Sequence, residues 1–229
     1  MKSGILYVVA SPIGNLGDLS FRAVETLSSV DFVAAEDTRV SSKILKKHSI
    51  SKKCISYHDK NENNKFQDLI ILLKEGHDIA LISDAGTPCI SDPGYRLVNA
   101  SRENGIQVVT IPGPSSVTAA LSISGLPTDC FYFEGFLPKK KGRKTKLEYL
   151  SAMDCSIVIL ESPNRIIKSL SDISQYFGNR AVSVCREMTK LYEQNYFGYV
   201  DNVLGEIESS KPKGEFVIVV AKDGYLINE

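Results

Sequence analysis

The sequence predicts an α/β protein built as two α/β domains, and three observations carry that reading. Short apolar runs alternate with helical patterns through the first half, the mark of an α/β layer with a mainly parallel sheet. Turn-rich loops at Pro12, Glu36, Asp84 and Pro112 each follow one of those runs. The chain has 229 residues, of which 43% are hydrophobic, enough for two cores. The texture changes near Gly113, so the expected domains are residues 1–113, with the mainly parallel sheet, and 114–229.

Ile5 to Ala10 is a near-continuous apolar run, as expected of a central parallel strand buried on both faces. It is too short for the apolar part of a signal peptide, and Pro12 follows at once. Ser20 is placed to cap a helix through Ala23, Val24 and Leu27. Phe32 to Ala35 reads as a strand that ends in Glu36-Asp37-Thr38-Arg39, and a helix through Ile44 and Leu45 follows. Cys54 to Tyr57 reads as another strand. Phe66, Leu69, Ile70 and Leu73 then fit the i, i+3, i+4, i+7 template of an amphipathic helix, with Gly76 to stop it.

Ile79 to Ile82 is the strand that feeds the loop Ser83 to Gly94, which holds two Asp, two Gly and two Pro. Tyr95, Leu97, Val98 and Ala100 continue as a helix. Val108 to Ile111 is a strand, Pro112 to Ser116 a loop, and Ala119 to Leu121 part of a helix that Ser115 or Ser116 could cap. In the second half, strands are expected at Cys130 to Phe136, Ile157 to Leu160, Ala181 to Cys185 and Val217 to Ala221. Helices are expected through Ile166 and Leu170 and over Val200 to Ile207.

Lysine plus arginine equals aspartate plus glutamate, so any nucleic-acid contact must come from a local patch. The five cysteines, at 54, 89, 130, 155 and 185, form no CxxC pair, which argues against a disulfide framework and a zinc site. Reduced thiols in a cytoplasmic protein are the expectation. No segment is long and apolar enough to span a membrane. GxxxxGK[ST], GxSxG and HExxH are absent, and Gly14 and Gly17 match GxGxxG only in part. What remains is a set of polar loops without an obvious nucleophile or metal, which suits group transfer from a bound carrier.

Ser11-Pro12-Ile13-Gly14-Asn15-Leu16-Gly17-Asp18, Ala34-Ala35-Glu36-Asp37-Thr38-Arg39 and Ser83-Asp84-Ala85-Gly86-Thr87-Pro88 resemble the ribosomal RNA small subunit methyltransferase I family, within the tetrapyrrole methylase superfamily. Pro112-Gly113-Pro114-Ser115, Gly125-Leu126-Pro127-Thr128-Asp129, Phe133-Glu134-Gly135-Phe136-Leu137-Pro138 and Glu161-Ser162-Pro163 extend the resemblance in order along the chain.

The resemblance implies two α/β domains of tetrapyrrole-methylase type, with S-adenosylmethionine in a cleft between them. It implies methylation of the ribose 2′-hydroxyl of a cytidine in small-subunit (16S) ribosomal RNA. The substrate is naked RNA or the assembled small subunit, and the enzyme a cytoplasmic homodimer. Cofactor contacts are implied for Pro12, Ile13, Gly14, Asp84, Ala85, Gly86, Thr87, Pro88, Ser115, Ser116 and Val117. In the second domain they are implied for Glu161, Ser162, Pro163, Glu187, Met188, Thr189, Gly214 and Glu215. Relatives often continue with a basic helical tail, whereas this sequence stops at Glu229.

A general base would assist the displacement, and Glu36 and Asp37 are the candidates, with Glu134 behind them. A capping and ion-pair cluster is the alternative reading of the same residues. Lys139-Lys140-Lys141-Gly142-Arg143-Lys144-Thr145-Lys146 is the dense basic run. RNA contact is favoured there over a solvated loop, with Arg22, Arg39 and Lys43 as helpers. Cys89 reads as a small filler, and Tyr57 and His58 as packing residues. Two other functions stay open: methylation of a tetrapyrrole or other small acceptor, and non-catalytic ribosome binding by the same fold.

Overall fold

The computed structural model describes residues 2–227, so the sequence expectations that touch Met1, Asn228 and Glu229 lie outside the described residues. The chain divides into Met1–Ser115 and Ser116–Glu229, two residues past the Gly113 expected from sequence.

In the first unit, strands β1 (Ile5–Val9), β2 (Phe32–Ala35), β3 (Lys53–Ser56), β4 (Ile79–Ile82) and β5 (Gln107–Ile111) form one sheet in the order β3-β2-β4-β1-β5. Every neighbouring pair is parallel. Helices α1 (Phe21–Ser29), α2 (Thr38–Lys47), α3 (Glu62–Lys74) and α4 (Tyr95–Glu103) make the crossovers. Strand β4 shows why its sequence is apolar without a break. Ala80 and Ile82 pack with Leu27 of α1 and Ile44 of α2, while Ile79 and Leu81 pack with Leu69 of α3 and Leu97 of α4. Successive side chains point to opposite faces, so a strand covered on both sides has no position left for a polar residue.

Parallel strands put all their carboxyl ends at one edge. The register aligns Ala35 with Ile82 and Val9 with Ile111, so the loops after β1, β2, β4 and β5 emerge together. Ser20 caps α1 by accepting from the Ala23 amide at 3.1 Å, and Asp37 caps α2 by accepting from the Arg39 amide at 2.8 Å.

The second unit has helix α5 (Ser116–Ile123) and strands β6 (Phe131–Phe136), β7 (Ser156–Glu161), β8 (Ala181–Arg186), β9 (Gln194–Tyr199) and β10 (Phe216–Val220). Their order is β6-β7-β10-β8-β9. The sheet is mixed: β6 and β7 are parallel, whereas β10 runs antiparallel to both β7 and β8, and β9 antiparallel to β8. Helices α6 (Arg143–Ser151), α7 (Ile166–Phe177) and α8 (Val200–Ser209) cover one face through Leu147, Leu150, Leu170, Ile173, Val203 and Ile207.

Two elements had no counterpart in the sequence reading. Strand β9, Gln-Asn-Tyr-Phe-Gly-Tyr, is an edge strand whose three aromatics favour a strand, but two polar residues and a glycine break the apolar alternation that would mark it. Helix α6 begins inside the basic run and shows only Leu147 and Leu150 as apolar core contacts. The run is therefore half turn and half helix rather than one loop.

Candidate active site

Hydrogen bonds tie the loops of the first unit to one another. Ser11 and Gly86 form an antiparallel bridge, with the Ser11 amide donating to the Gly86 carbonyl at 2.8 Å and the Gly86 amide returning the bond at 3.1 Å. The Ser11 hydroxyl donates to the Ser83 carbonyl at 2.9 Å. The Thr87 hydroxyl donates to the Pro114 carbonyl at 3.2 Å. Pro12, Gly86 and Pro88 are buried, while Gly14 and Ala85 are exposed. Three loops that are distant in sequence thus form one fixed rim.

The fourth loop joins through carboxylates. The Asp84 amide donates to Glu36 Oε2 at 3.3 Å, and the Asp37 amide donates to Asp84 Oδ1 at 3.0 Å. Burial pushes the Glu36 carboxyl above its ordinary value, the Asp84 amide works against the rise, and the charges of Asp84, Asp92 and Asp59 add to it. Burial raises Asp84 and Asp92 as well. The segment carries backbone strain: Cys89 and Ser91 sit at φ 71° and 61°, in the left-handed region that side chains disfavour. A Cβ on Gly94 (φ 138°) would come within 2.6 Å of the Cys89 sulfur. Burial pushes the Cys89 thiol up to about 11, so it is a packing group rather than a thiolate nucleophile.

The two sequence candidates for the base separate here. Asp37 is engaged by its own helix and by Arg39, whose Nη2 lies 2.6 Å from Oδ2. Hydrogen bonds from the Arg39 side chain and amide hold Asp37 down to about 2, which makes it a poor proton acceptor. The expectation for Asp37 is corrected to a helix cap; Arg39 pairs with that cap while its side chain stays exposed. Glu36 keeps the raised pKa that a base needs. Glu134 is ion-paired with Lys146 at 3.1 Å.

In the second unit, the register places Phe216 opposite both Glu161 and Arg186, and Phe136 opposite Leu160. The segments 161–163, 187–189 and 214–215 therefore share one sheet edge. Glu161 is 2% exposed, and its carboxylate is fully engaged: Arg165 Nε and the Ser162 amide lie 2.7 Å from Oε1, and the Ser169 hydroxyl lies 2.6 Å from Oε2. Its side chain serves the fold, which leaves only its backbone for a ligand.

Glu187 and Thr189 adopt φ of 50° and 66°. Glu187 Oε1 accepts from the Glu215 amide and from Lys190 Nζ, both at 2.9 Å, and Lys190 also reaches Glu215 at 2.7 Å. Burial works against the Glu187 charge, but the bonds from Lys190 and the Glu215 amide hold its carboxyl below the ordinary value. A Cβ on Gly214 (φ 85°) would lie 2.4 Å from Glu187 side-chain carbons. Met188 is buried beside this brace. Lys190, Arg165 and Ser11 hold these loops yet have no role in the sequence reading; the i, i+4 pair Glu161–Arg165 and the i, i+3 pair Glu187–Lys190 are the local signals that could have found two of them, whereas the partners of Ser11 lie on another loop.

Arg143 departs from its expected role. It is 6% exposed, with Nε 2.7 Å from Asp172, Nη1 3.1 Å from the Pro138 carbonyl and Nη2 2.9 Å from the Ser169 hydroxyl. All three nitrogens are committed, so Arg143 is corrected from an RNA contact to a buried anchor of α6. Lys139, Lys140, Lys141 and Lys144 stay exposed, as do Arg22 and Lys43. Among the described residues, no group of three or more His, Cys, Asp or Glu is placed to hold a metal, and no helix is long and apolar enough to cross a membrane.

Residues 5–203 match the family described as tetrapyrrole (corrin/porphyrin) methylases. The chain is 47% identical over 220 residues to a Synechocystis protein named ribosomal RNA small subunit methyltransferase I, covering 95% of this chain and 79% of that one. It is 43% identical over 218 residues to the protein of the same name from Thermotoga maritima, covering 95% and 98%. Among solved structures it resembles the methyltransferase CobJ, with a TM-score of 0.72 at 14% identity, covering 99% and 98% of the two chains. It also resembles the uroporphyrin-III-C-methyltransferase of Thermus thermophilus, with a TM-score of 0.66 at 19% identity, covering 96% and 94%. At those identities the likeness to solved structures establishes the fold.

Proposed function

The chain belongs to the tetrapyrrole (corrin/porphyrin) methylase family and is an S-adenosylmethionine-dependent methyltransferase, and we propose that its acceptor is the ribose 2′-hydroxyl of a cytidine in small-subunit ribosomal RNA. Near-full-length identity of 43–47% to proteins named for that RNA carries the reading. Action in the cytoplasm as a homodimer, on naked RNA or the assembled subunit, belongs to the same proposal.

The donor groups on the loops suit the cofactor. Asp84 and the exposed backbone at Gly14 and Ala85 supply hydrogen-bonding groups for an amine and for ribose hydroxyls, and Ile13 and Met188 belong to the same proposed contacts, each within its own unit. Pro12, Gly86, Thr87, Pro88 and Ser115 complete the proposed contacts in the first unit, and Ser116 and Val117 open those of the second. Ser162, Pro163, Glu187, Thr189, Gly214, Glu215 and the Glu161 backbone complete them in the second.

The cofactor supplies an electrophilic methyl group on a sulfonium. The protein's own task is alignment, which is worth on the order of 7–11 kcal/mol of a barrier when the reacting atoms are held in line. The bridged loops of the first unit suit that task because they are fixed before any ligand arrives. Glu36 is the proposed base. Its carboxylate is held by the Asp84 amide, and its raised pKa brings its proton affinity closer to working pH. Exposed lysines 139–141 and 144, with Arg22 and Lys43, are the proposed phosphate contacts.

The test is methyl transfer from labelled S-adenosylmethionine to small ribosomal subunits from cells that lack this protein, followed by nuclease mapping. Label in an alkali-resistant dinucleotide at a cytidine ribose is expected. Tight cofactor binding without transfer to subunits would redirect the acceptor to a small molecule such as a tetrapyrrole. Neither binding nor transfer would leave a non-catalytic protein of the same fold.

A further inference from the structure

The end of β6 and the turn after β7 border an open groove of about 730 Å³, lined among others by Phe136, Pro138, Lys139, Ser162, Asn164 and Arg165. Phe136 is 55% exposed, a large apolar ring left in water where a strand meets a loop. A bulge explains how it comes to be there. The pairing of β6 with β7 shifts between Phe133 and Gly135, and Gly135 takes φ 72°. The extra residue, Glu134, turns to Lys146, and Phe136 lines the groove. Bulges at strand ends characteristically re-aim a side chain in this way.

The cation beside the ring is fixed. Arg165 is held by Glu161 at 2.7 Å and donates to the Leu137 carbonyl at 3.0 Å, and its guanidinium lies 5.8 Å from the Phe136 ring centroid. Lys139 and Asn164 flank the ring and are exposed, and Lys140 and Lys141 continue the positive charge. An exposed aromatic face, a fixed cation, a flanking lysine and an amide with both donors and acceptors match the needs of one unpaired nucleotide. A duplex could not use the ring, because its base faces are already stacked.

We infer that this groove seats a single unpaired nucleotide of the RNA acceptor, with its base stacked on Phe136 and its phosphate toward Lys139. The inference rests on the ribosomal RNA reading above and deepens it. The groove shares Ser162 with the proposed cofactor contacts of the second unit.

The test is steady-state methyl transfer to small subunits by Phe136→Ala, Phe136→Leu and Phe136→Trp, with calorimetric titration of S-adenosylmethionine alone. The ring is exposed, so the variants keep the fold. Phe136→Ala and Phe136→Leu should raise KM for subunits about 5- to 100-fold, the range for loss of one base–aromatic stack, while Phe136→Trp stays near wild type. Cofactor affinity should not move in any of them. A wild-type KM in Phe136→Leu would mean that the ring makes an apolar protein contact, and would overturn the inference. Weakened cofactor binding in Phe136→Ala would assign the groove to the cofactor and overturn it too. If wild type transfers nothing to subunits, the ribosomal RNA reading fails and takes this inference with it. If wild type transfers and Phe136→Ala matches it, the inference alone fails.

Discussion

Glu36 and Asp84, at the ends of neighbouring strands, hold each other's loops. The Asp84 amide donates to Glu36 at 3.3 Å, while the Asp84 carboxylate accepts from the amide of Asp37, the residue after Glu36. Burial raises both carboxyls first of all; the Asp84 charge adds to the rise of Glu36, while the Asp37 charge adds to that of Asp84 and Arg39 works against it. Glu36→Gln keeps an acceptor for the Asp84 amide but cannot take a proton. It should lower kcat about 10²- to 10⁴-fold while cofactor affinity holds. In the wild-type profile, kcat should fall on the acid side through a pKa above the ordinary glutamate value, and Glu36→Gln should lose that limb.

The same shift has a signature in stability. A carboxyl whose folded pKa is raised binds more protons folded than unfolded, so its favourable contribution is complete at low pH and is lost as pH rises past the ordinary value. Glu36→Gln should therefore raise the melting temperature at pH 7 and leave it unchanged below pH ~4, where both states are protonated. Thermal scans at the two pH values check this.

Asp37 should behave in the opposite way. Its pKa is held at about 2, so its contribution is present above the unfolded carboxylate value and fades as pH falls toward the folded one. Asp37→Asn should keep both the cap and the kcat. Asp37→Ala should lower the melting temperature at neutral pH with little change in kcat. A kcat collapse in Asp37→Asn would restore Asp37 as the base.

Gly214→Ala should injure the Glu187 brace. The new Cβ meets Glu187 side-chain carbons at 2.4 Å, and the left-handed backbone at Gly214 disfavours any side chain. A loss of about 1–3 kcal/mol in stability is expected, together with weaker cofactor binding by calorimetry, since Glu187 then no longer holds the turn through Thr189. Unchanged affinity would remove this turn from the proposed cofactor contacts.

The basic run should split into two classes. Arg143→Ala removes one partner of a buried pair and should cost about 3–5 kcal/mol of folding stability, as read in urea. Replacing Lys139, Lys140 and Lys141 together should leave stability unchanged and weaken RNA binding. The slope of log affinity against log salt should flatten by about 2, at about 0.7 for each single-strand phosphate that is no longer neutralised. An unchanged slope would take the three lysines out of the RNA interface.

Most of the fold was legible because its elements advertise themselves locally. Ile79 to Ile82 has no polar residue since both faces of β4 are covered, and Phe66, Leu69, Ile70 and Leu73 show the stripe that α3 turns to the sheet. Edge strand β9 stayed hidden because one bonded neighbour and partial exposure impose little on its sequence. The basic run misled because charge counts do not reveal burial. Arg143 lies between Lys141 and Lys144 in the chain, yet points inward to Asp172.

The sequence by itself determined the strand–helix alternation, the turn-rich loops that follow the strands and, through motifs in order, the family. Those properties are local or additive along the chain. Tertiary structure decided which carboxyl is raised and which is held down, which arginine is buried and which aromatic faces a groove. Glu36 and Asp37 are adjacent in sequence, but the Asp84 amide holds one carboxylate and Arg39 engages the other, across separations of 48 residues and 2. A side chain's protonation and availability depend on which groups surround it in space, and chain order does not encode that until the sheet has brought the loops together.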